Sequence, residues 1–248
     1  MDLNLFFAQN PKAALAFSGG VDSAYLLYAA RQAGANVTAY YVRTPFQPQF
    51  EYDDAVKLAQ ELKMPMRTIG MDVLEDPNVV ANPANRCYYC KRRIFTAILE
   101  AARADGYSLI LDGTNASDDA SDRPGMVALR ELEVRSPLRE CGLTKPEIRR
   151  LSKEAGLFTH DKPAYACLAT RIPTGEAITR EKLARTEDAE DFLRNLGARD
   201  FRVRTFHDTA RIQVTAEELH LVQENREEIV GRLKQAYSGV LLDLEVRA

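Results

Sequence analysis

The sequence holds little that would commit it to a membrane, a nucleic-acid backbone or an oxidising compartment. No apolar run approaches the roughly 20 residues that cross a bilayer. Residues 1–10 have neither a cationic start nor a long apolar stretch, so no secretory leader is expected there. Lys and Arg number 33 against 36 Asp and Glu, a formal net charge of −3, which provides no global basic field to hold RNA or DNA. Four cysteines in 248 residues are too sparse for a small disulfide-built domain. His160, His207 and His220 form no spaced ligand pair. The kinase-type loop GxxxxGKS/T is missing, which removes γ-phosphoryl transfer as the natural chemistry. These absences leave a cytoplasmic protein with neither nucleic acid nor membrane as partner, and its 46% hydrophobic content suffices for a sizeable core.

What is present alternates. Residues 13–18 are a short apolar run ending in a glycine pair, and residues 22–33 are apolar on nearly every face and stop at Gly34. That reads as buried strand, tight loop, helix. Residues 37–43, 66–71 and 108–111 read as further strands, and residues 52–62 and 91–103 as helices. The rhythm predicts an α/β fold, a parallel sheet with helices on both faces. Thr144-Lys145-Pro146-Glu147 is a capping-box sequence whose helix runs to Ala155 and ends at Gly156. After an irregular stretch over 162–179 the pattern changes to a charged helix (180–196), strands at 201–206 and 211–214, a helix opened by Thr215-Ala216-Glu217-Glu218, and a strand at 240–246. We therefore expect one domain over 1–170 and a small α+β domain over 171–248.

Ser18-Gly19-Gly20-Val21-Asp22-Ser23 lies between the first strand and its helix. Its two glycines let the backbone bend tightly and present several N–H groups at the positive end of the helix, an arrangement suited to phosphate. Ser18 and Ser23 can add hydroxyl donors, whereas anionic Asp22 suits Mg2+ or the loop's own fold better than direct phosphate contact. In this context the hexapeptide resembles the SGGxDS signature of the PP-loop ATP pyrophosphatases. That resemblance implies an enzyme that splits ATP into AMP and pyrophosphate.

Three further segments extend the resemblance: Asn85-Arg86-Cys87-Tyr88-Tyr89-Cys90-Lys91; Asp112-Gly113-Thr114-Asn115 with Asp118, Asp119 and Arg123-Pro124-Gly125; and Cys167-Leu168-Ala169-Thr170-Arg171-Ile172-Pro173-Thr174-Gly175. Together they are similar to the LarE family, over nearly the whole chain. The family thiolates the carboxylates of a pyridinium biscarboxylic acid mononucleotide while building the nickel-pincer nucleotide cofactor. Segment 112–115 follows a parallel strand, the place where such sheets hold ligands, and should line the ATP crevice. The resemblance implies that Arg123 contacts nucleotide phosphate and that Cys167 is central to sulfur transfer. A thiolate is the strongest nucleophile available at neutral pH, and a neighbouring cation such as Arg171 favours it. Arg202 and Arg204 alternate on a predicted strand and so share a face, where two guanidiniums can grip one phosphate. The family binds its substrate phosphate with arginines in this region. Arg171, Arg202 and Arg204 are thus expected to bind substrate, with Arg211 a weaker candidate.

By themselves Cys87 and Cys90 fit half a zinc site, a redox pair or part of an iron–sulfur cluster. The resemblance points to the last, because the family contains a type in which three cysteines carry a 4Fe-4S cluster. Cys87, Cys90 and Cys167 are the expected ligands, and Cys141 is expected to be a packing residue. ATP, Mg2+ and the cluster are the expected cofactors, in a homo-oligomer. Competing readings are tRNA thiolation, ATP-dependent amidation and adenine-nucleotide sensing without catalysis.

Overall fold

Lys12–Ala16 forms a strand because its alternate side chains can be buried on opposite sides: Ala13 and Leu15 enter one core, Ala14 the other, and all three are fully enclosed. The computed structural model describes residues 2–118 and 124–247. In chain order the elements are α1 (Leu3–Gln9), β1 (Lys12–Ala16), α2 (Val21–Gln32), β2 (Asn36–Arg43), α3 (Gln49–Glu61), β3 (Met66–Gly70), α4 (Pro77–Val80), α5 (Arg86–Ala104), β4 (Ile110–Leu111), α6 (Pro124–Glu131), α7 (Pro137–Glu140), α8 (Lys145–Glu154), α9 (Arg180–Asn195), β5 (Phe201–Phe206), β6 (Thr209–Val214), α10 (Leu219–Glu224), α11 (Arg226–Leu233) and β7 (Gly239–Leu242). They group into two units, Met1–Glu75 with Asn85–Ala164, and Asp76–Ala84 with Tyr165–Ala248.

In the first unit a parallel sheet runs β3-β2-β1-β4, with Lys12 opposite Asn36 and Leu15 opposite Leu111. One face packs Leu15, Val37 and Tyr41 against Leu26, Leu27, Leu58 and Ile148 of α2, α3 and α8. The other packs Ala14, Tyr40 and Ile110 against Phe95, Ile98 and Leu129 of α5 and α6. Each fully enclosed Leu, Ile, Val or Phe among them contributes about 1.5–3 kcal/mol. Helices therefore cover both faces, as the alternating pattern predicts. From β1 the chain steps outward through β2 and β3, then returns to place β4 on the opposite side of β1. The reversal opens a crevice at the C-terminal ends of β1 and β4, where open α/β sheets bind ligands.

In the second unit β5 pairs antiparallel with β6, and β6 pairs parallel with β7. Leu193, Val203, Ala210, Ile212, Val214, Ile229 and Leu233 form its core. The segment 76–84 is tied in by main-chain bonds from Gly175 N to Asn82 O and Ile178 N to Val80 O, both 2.9 Å, and by Asn82 Nδ2 to Pro173 O at 2.8 Å. The helix expected after Thr215 is broken at Asn225 into α10 and α11.

Candidate active site

The loop after β1 is shaped by glycine for two separate reasons. Gly19 has φ +73°, a left-handed backbone, and a Cβ on it would lie 3.0 Å from Ala55 Cβ and 3.1 Å from Ala55 Cα of α3. Gly20 then caps α2 in extended backbone, with no side chain to cover the first-turn amides. A Cβ on Gly113 would lie 2.9 Å from Ser23 N, so the segment after β4 backs directly onto the start of α2. The arrangement leaves a helix N-terminus suited to an anion. Val21 is buried behind it. Ser23 is 3% exposed and its hydroxyl is used inside the loop, 3.1 Å from Gly20 O, 3.3 Å from Ser18 N and 3.2 Å from Ser18 Oγ. Ser18, exposed, is the serine open to a ligand.

Asp22 has two oxygens in different states. Oδ2 lies 2.6 Å from Lys145 Nζ, while Oδ1 is buried with no hydrogen-bond partner among the described residues. Burial pushes the Asp22 carboxyl up, Lys145 opposes that shift, Asp118 adds to it and Arg149 offsets it. An orphaned carboxylate oxygen is costly in an apolar setting and is the donor type a hard dication takes. Lys145 escaped the sequence reading, which saw only the capping box around it; that box is present, with Thr144 N to Glu147 Oε2 at 2.9 Å. The available signal was a cation at the first position of a helix, the unfavourable end of its dipole. A second lysine, Lys162, lies 3.1 Å from Glu51 and 2.7 Å from Asp54 on α3.

The acids after β4 are committed locally. Asp112 accepts from Ser136 Oγ at 2.6 Å and from Thr114, and Asp118 Oδ2 accepts from Asn115 N at 2.9 Å. Asp119 and Arg123 lie outside the described residues.

In the second unit Cys167 precedes a single helical turn, Leu168–Arg171, and Arg171 holds that turn in place. Its Nε and Nη2 meet Glu190 at 2.7 and 3.1 Å, and its Nη1 donates to Ala166 O at 2.8 Å, Cys167 O at 3.4 Å and Thr170 Oγ1 at 2.8 Å. Glu190 also accepts from Val203 N at 3.0 Å and Tyr165 Oη at 2.5 Å. Arg171 was expected to bind substrate; the structure directs its guanidinium into the Cys167 backbone and Glu190. Glu190 and Tyr165 were not anticipated.

Arg202 and Arg204 share a face of β5 but do different work. Arg202 is 5% exposed, with Nη1 2.5 Å from Phe201 O and its guanidinium 5.1 Å from the Tyr165 ring centre. Burial, then Arg171 and Arg247, push its guanidinium down to about 10. Arg204 donates to Thr170 O at 2.9 Å and lines a cavity of about 470 Å3 together with Thr170, Arg171, Glu176, His207 and Arg211. Burial and then the neighbouring Arg171 and Arg211 lower the Arg204 guanidinium. Such crowded guanidiniums favour an anion in the cavity.

All four cysteines are thiols. Because α5 starts at Arg86 and not near Lys91 as expected, Cys87 and Cys90 sit three residues apart in its first turns, Cys87 exposed and Cys90 half-buried. Arg86 Nη2 is 3.8 Å from Cys87 Sγ. Cys141 packs on the first unit's core, and burial pushes its thiol up. Among the described residues no three or more His, Cys, Asp or Glu gather into a group that could hold a metal ion. Nor is any described helix long and apolar enough to cross a membrane.

No protein-family model matches the chain. It is 38% identical over 250 residues to an uncharacterised protein of Synechocystis sp., a match covering 98% of this chain and 92% of that one. It is 34% identical over 202 residues to the pyridinium-3,5-bisthiocarboxylic acid mononucleotide synthase of Lactiplantibacillus plantarum, covering 81% and 73%. A tRNA-specific 2-thiouridylase of Clostridium botulinum is 26% identical over 181 residues, 60% of this chain and 51% of that protein. With the parallel sheet, the glycine loop after β1 and relatives of this extent in hand, the chain belongs to the LarE family of PP-loop sulfur-transferring enzymes.

Proposed function

We propose that this enzyme uses Mg2+ and ATP to adenylate a carboxylate of a pyridinium biscarboxylic acid mononucleotide, then replaces the activated oxygen by sulfur carried at Cys167. The observation that carries the reading is in the second unit: the turn that begins at Cys167 supplies Thr170 and Arg171 to the wall of the arginine-lined cavity. A phosphate held there by Arg204 would anchor a mononucleotide beside the sulfur carrier. The first unit adds the bare start of α2 for the polyphosphate and the orphaned Asp22 oxygen for Mg2+.

In the first half of the reaction a carboxylate oxygen attacks the α-phosphorus, the bond from that phosphorus to the α,β-bridging oxygen breaks and pyrophosphate departs. Adenylation provides the leaving group a carboxylate lacks. In the second half sulfur attacks the acyl carbon and AMP leaves with the original carboxylate oxygen. Arg171 and Glu190 act on this chemistry by fixing the Cys167 main chain.

A 4Fe-4S cluster belongs to the same proposal, with Cys87, Cys90 and Cys167 as ligands. Thiols are the right donors, and two of them stand a turn apart on α5. When bound, the cluster would supply a renewable sulfide. Anaerobic reconstitution tests it: Cys87→Ala, Cys90→Ala and Cys167→Ala should each bind less iron and lose multiple turnover, while Cys141→Ala keeps both. The alternative is a sacrificial Cys167, in which attack by its own sulfur is followed by loss of the α-proton and cleavage of the Cβ–S bond. Its mark would be a protein lighter by the mass of hydrogen sulfide, with Cys87→Ala fully active.

The function itself is tested by mixing the protein with Mg2+, ATP and the biscarboxylate mononucleotide. AMP and pyrophosphate should form only when the carboxylate acceptor is present, and Asp22→Ala should form neither. ADP as the nucleotide product would contradict the reading.

A further inference from the structure

We infer that Lys145 is a polyphosphate-binding residue, held on Asp22 in the free protein and transferred to a β- or γ-phosphoryl oxygen when Mg2+ and ATP arrive. The inference rests on the proposed use of ATP and extends it to a residue on a different element from the glycine loop.

The geometry singles out Lys145 among the cations near the loop. Arg149, one turn further along α8, donates to His160 O at 2.7 Å and Lys162 O at 2.8 Å, so its guanidinium braces the chain. Lys162 is shared between Glu51 and Asp54, with its side chain only 14% exposed. Lys145 is 32% exposed along its side chain, and its ammonium meets Asp22. Its own amide is fixed by Ser117 Oγ at 2.9 Å, so the base of the arm is anchored while four methylenes remain to redirect the charge.

Electrostatics give the direction of the transfer. Asp22 lies in the first turn of α2, and Lys145 opens α8, so both stand at helix ends that favour an anion. In the free protein the Asp22 carboxylate serves as that anion for Lys145. Its second oxygen, Oδ1, is already orphaned. Once a dication is bound at Asp22 the carboxylate is neutralised, and Lys145 would face a like charge unless another anion replaced it. The nucleotide that brings the metal brings that anion. Asp118 is the other acid acting on Asp22, but its Oδ2 is occupied by Asn115 N, so the phosphates are the natural destination. In the same position the ammonium would stay with pyrophosphate as it departs.

Calorimetric titration of Mg2+ with ATP, pyrophosphate or AMP into wild type, Lys145→Gln and Lys145→Arg tests this. Loss of one charged hydrogen bond should weaken ATP and pyrophosphate binding roughly tenfold or more in Lys145→Gln. AMP binding should be unchanged, and Lys145→Arg should recover most of the loss. Wild-type affinity for pyrophosphate in Lys145→Gln would overturn the inference, as would an equal loss for AMP, which marks a structural role. A wild-type protein that binds neither ATP nor pyrophosphate would overturn the ATP-using reading itself, an outcome separate from the first two.

Discussion

Arg171 and Glu190 form a two-point ion pair from which solvent is excluded: Nε to Oε1 is 2.7 Å, Nη2 to Oε2 is 3.1 Å, and both side chains are at most 1% exposed. The remaining Arg171 donors end on Ala166 O, Cys167 O and Thr170 Oγ1, which makes a charge pair between the Cys167 turn and α9 the fastening of the proposed sulfur carrier.

Removing one partner from such a pair strands the other. Glu190→Gln should destabilise the protein by about 3–5 kcal/mol, measured by denaturant unfolding, and should slow sulfur transfer more than AMP formation. Arg171→Lys should not rescue, since an ammonium cannot hold a carboxylate and two carbonyls in one plane. Unchanged stability in Glu190→Gln would show that the fastening is dispensable.

Gly19→Ala combines a left-handed backbone with a clash on Ala55. The conformational part alone should cost about 1–2 kcal/mol, and ATP binding should fall with it. Ala55→Gly in the same chain removes the contact with Ala55 Cβ but leaves both the close approach to the α3 backbone and the strain, so it should restore only part of the loss. Complete restoration would assign the requirement for glycine to the contact alone.

Arg204 lines the cavity and Arg202 does not. Arg204→Ala should weaken the mononucleotide by about 1.5–3 kcal/mol, the range for a charged hydrogen bond, with ATP affinity kept. Arg202→Ala should instead lower the unfolding midpoint, because its guanidinium packs on Tyr165 and lies 3.5 Å from Asp200. Equal effects of the two variants on substrate affinity would restore a shared phosphate grip.

The parts of this molecule readable from sequence are those set by local pattern. Residues 12–16 and 21–32 are apolar runs joined by glycines, so strand, loop and helix follow from neighbours along the chain. The capping box at Thr144 is likewise local. The start of α5 at Arg86 was missed because Arg86-Cys87-Tyr88-Tyr89-Cys90 has no clear apolar period. Lys145 and Glu190 were missed for a different reason: their meaning lies in partners 123 and 19 residues away. The grouping of 76–84 with the second unit was invisible too, since main-chain hydrogen bonds to Gly175 and Ile178 leave no mark in side-chain chemistry.

The central claim is that ATP activates a carboxylate whose oxygen sulfur then displaces, and the path of that oxygen tests it most directly. The biscarboxylate mononucleotide, labelled with heavy oxygen in its carboxylates, is allowed to react with ATP, and the released AMP is examined by mass spectrometry and phosphorus NMR. The account predicts AMP carrying heavy oxygen on phosphorus, in step with sulfur entering the product. Unlabelled AMP accompanying a thiolated product would contradict it, because the carboxylate oxygen would then never have been joined to the α-phosphorus.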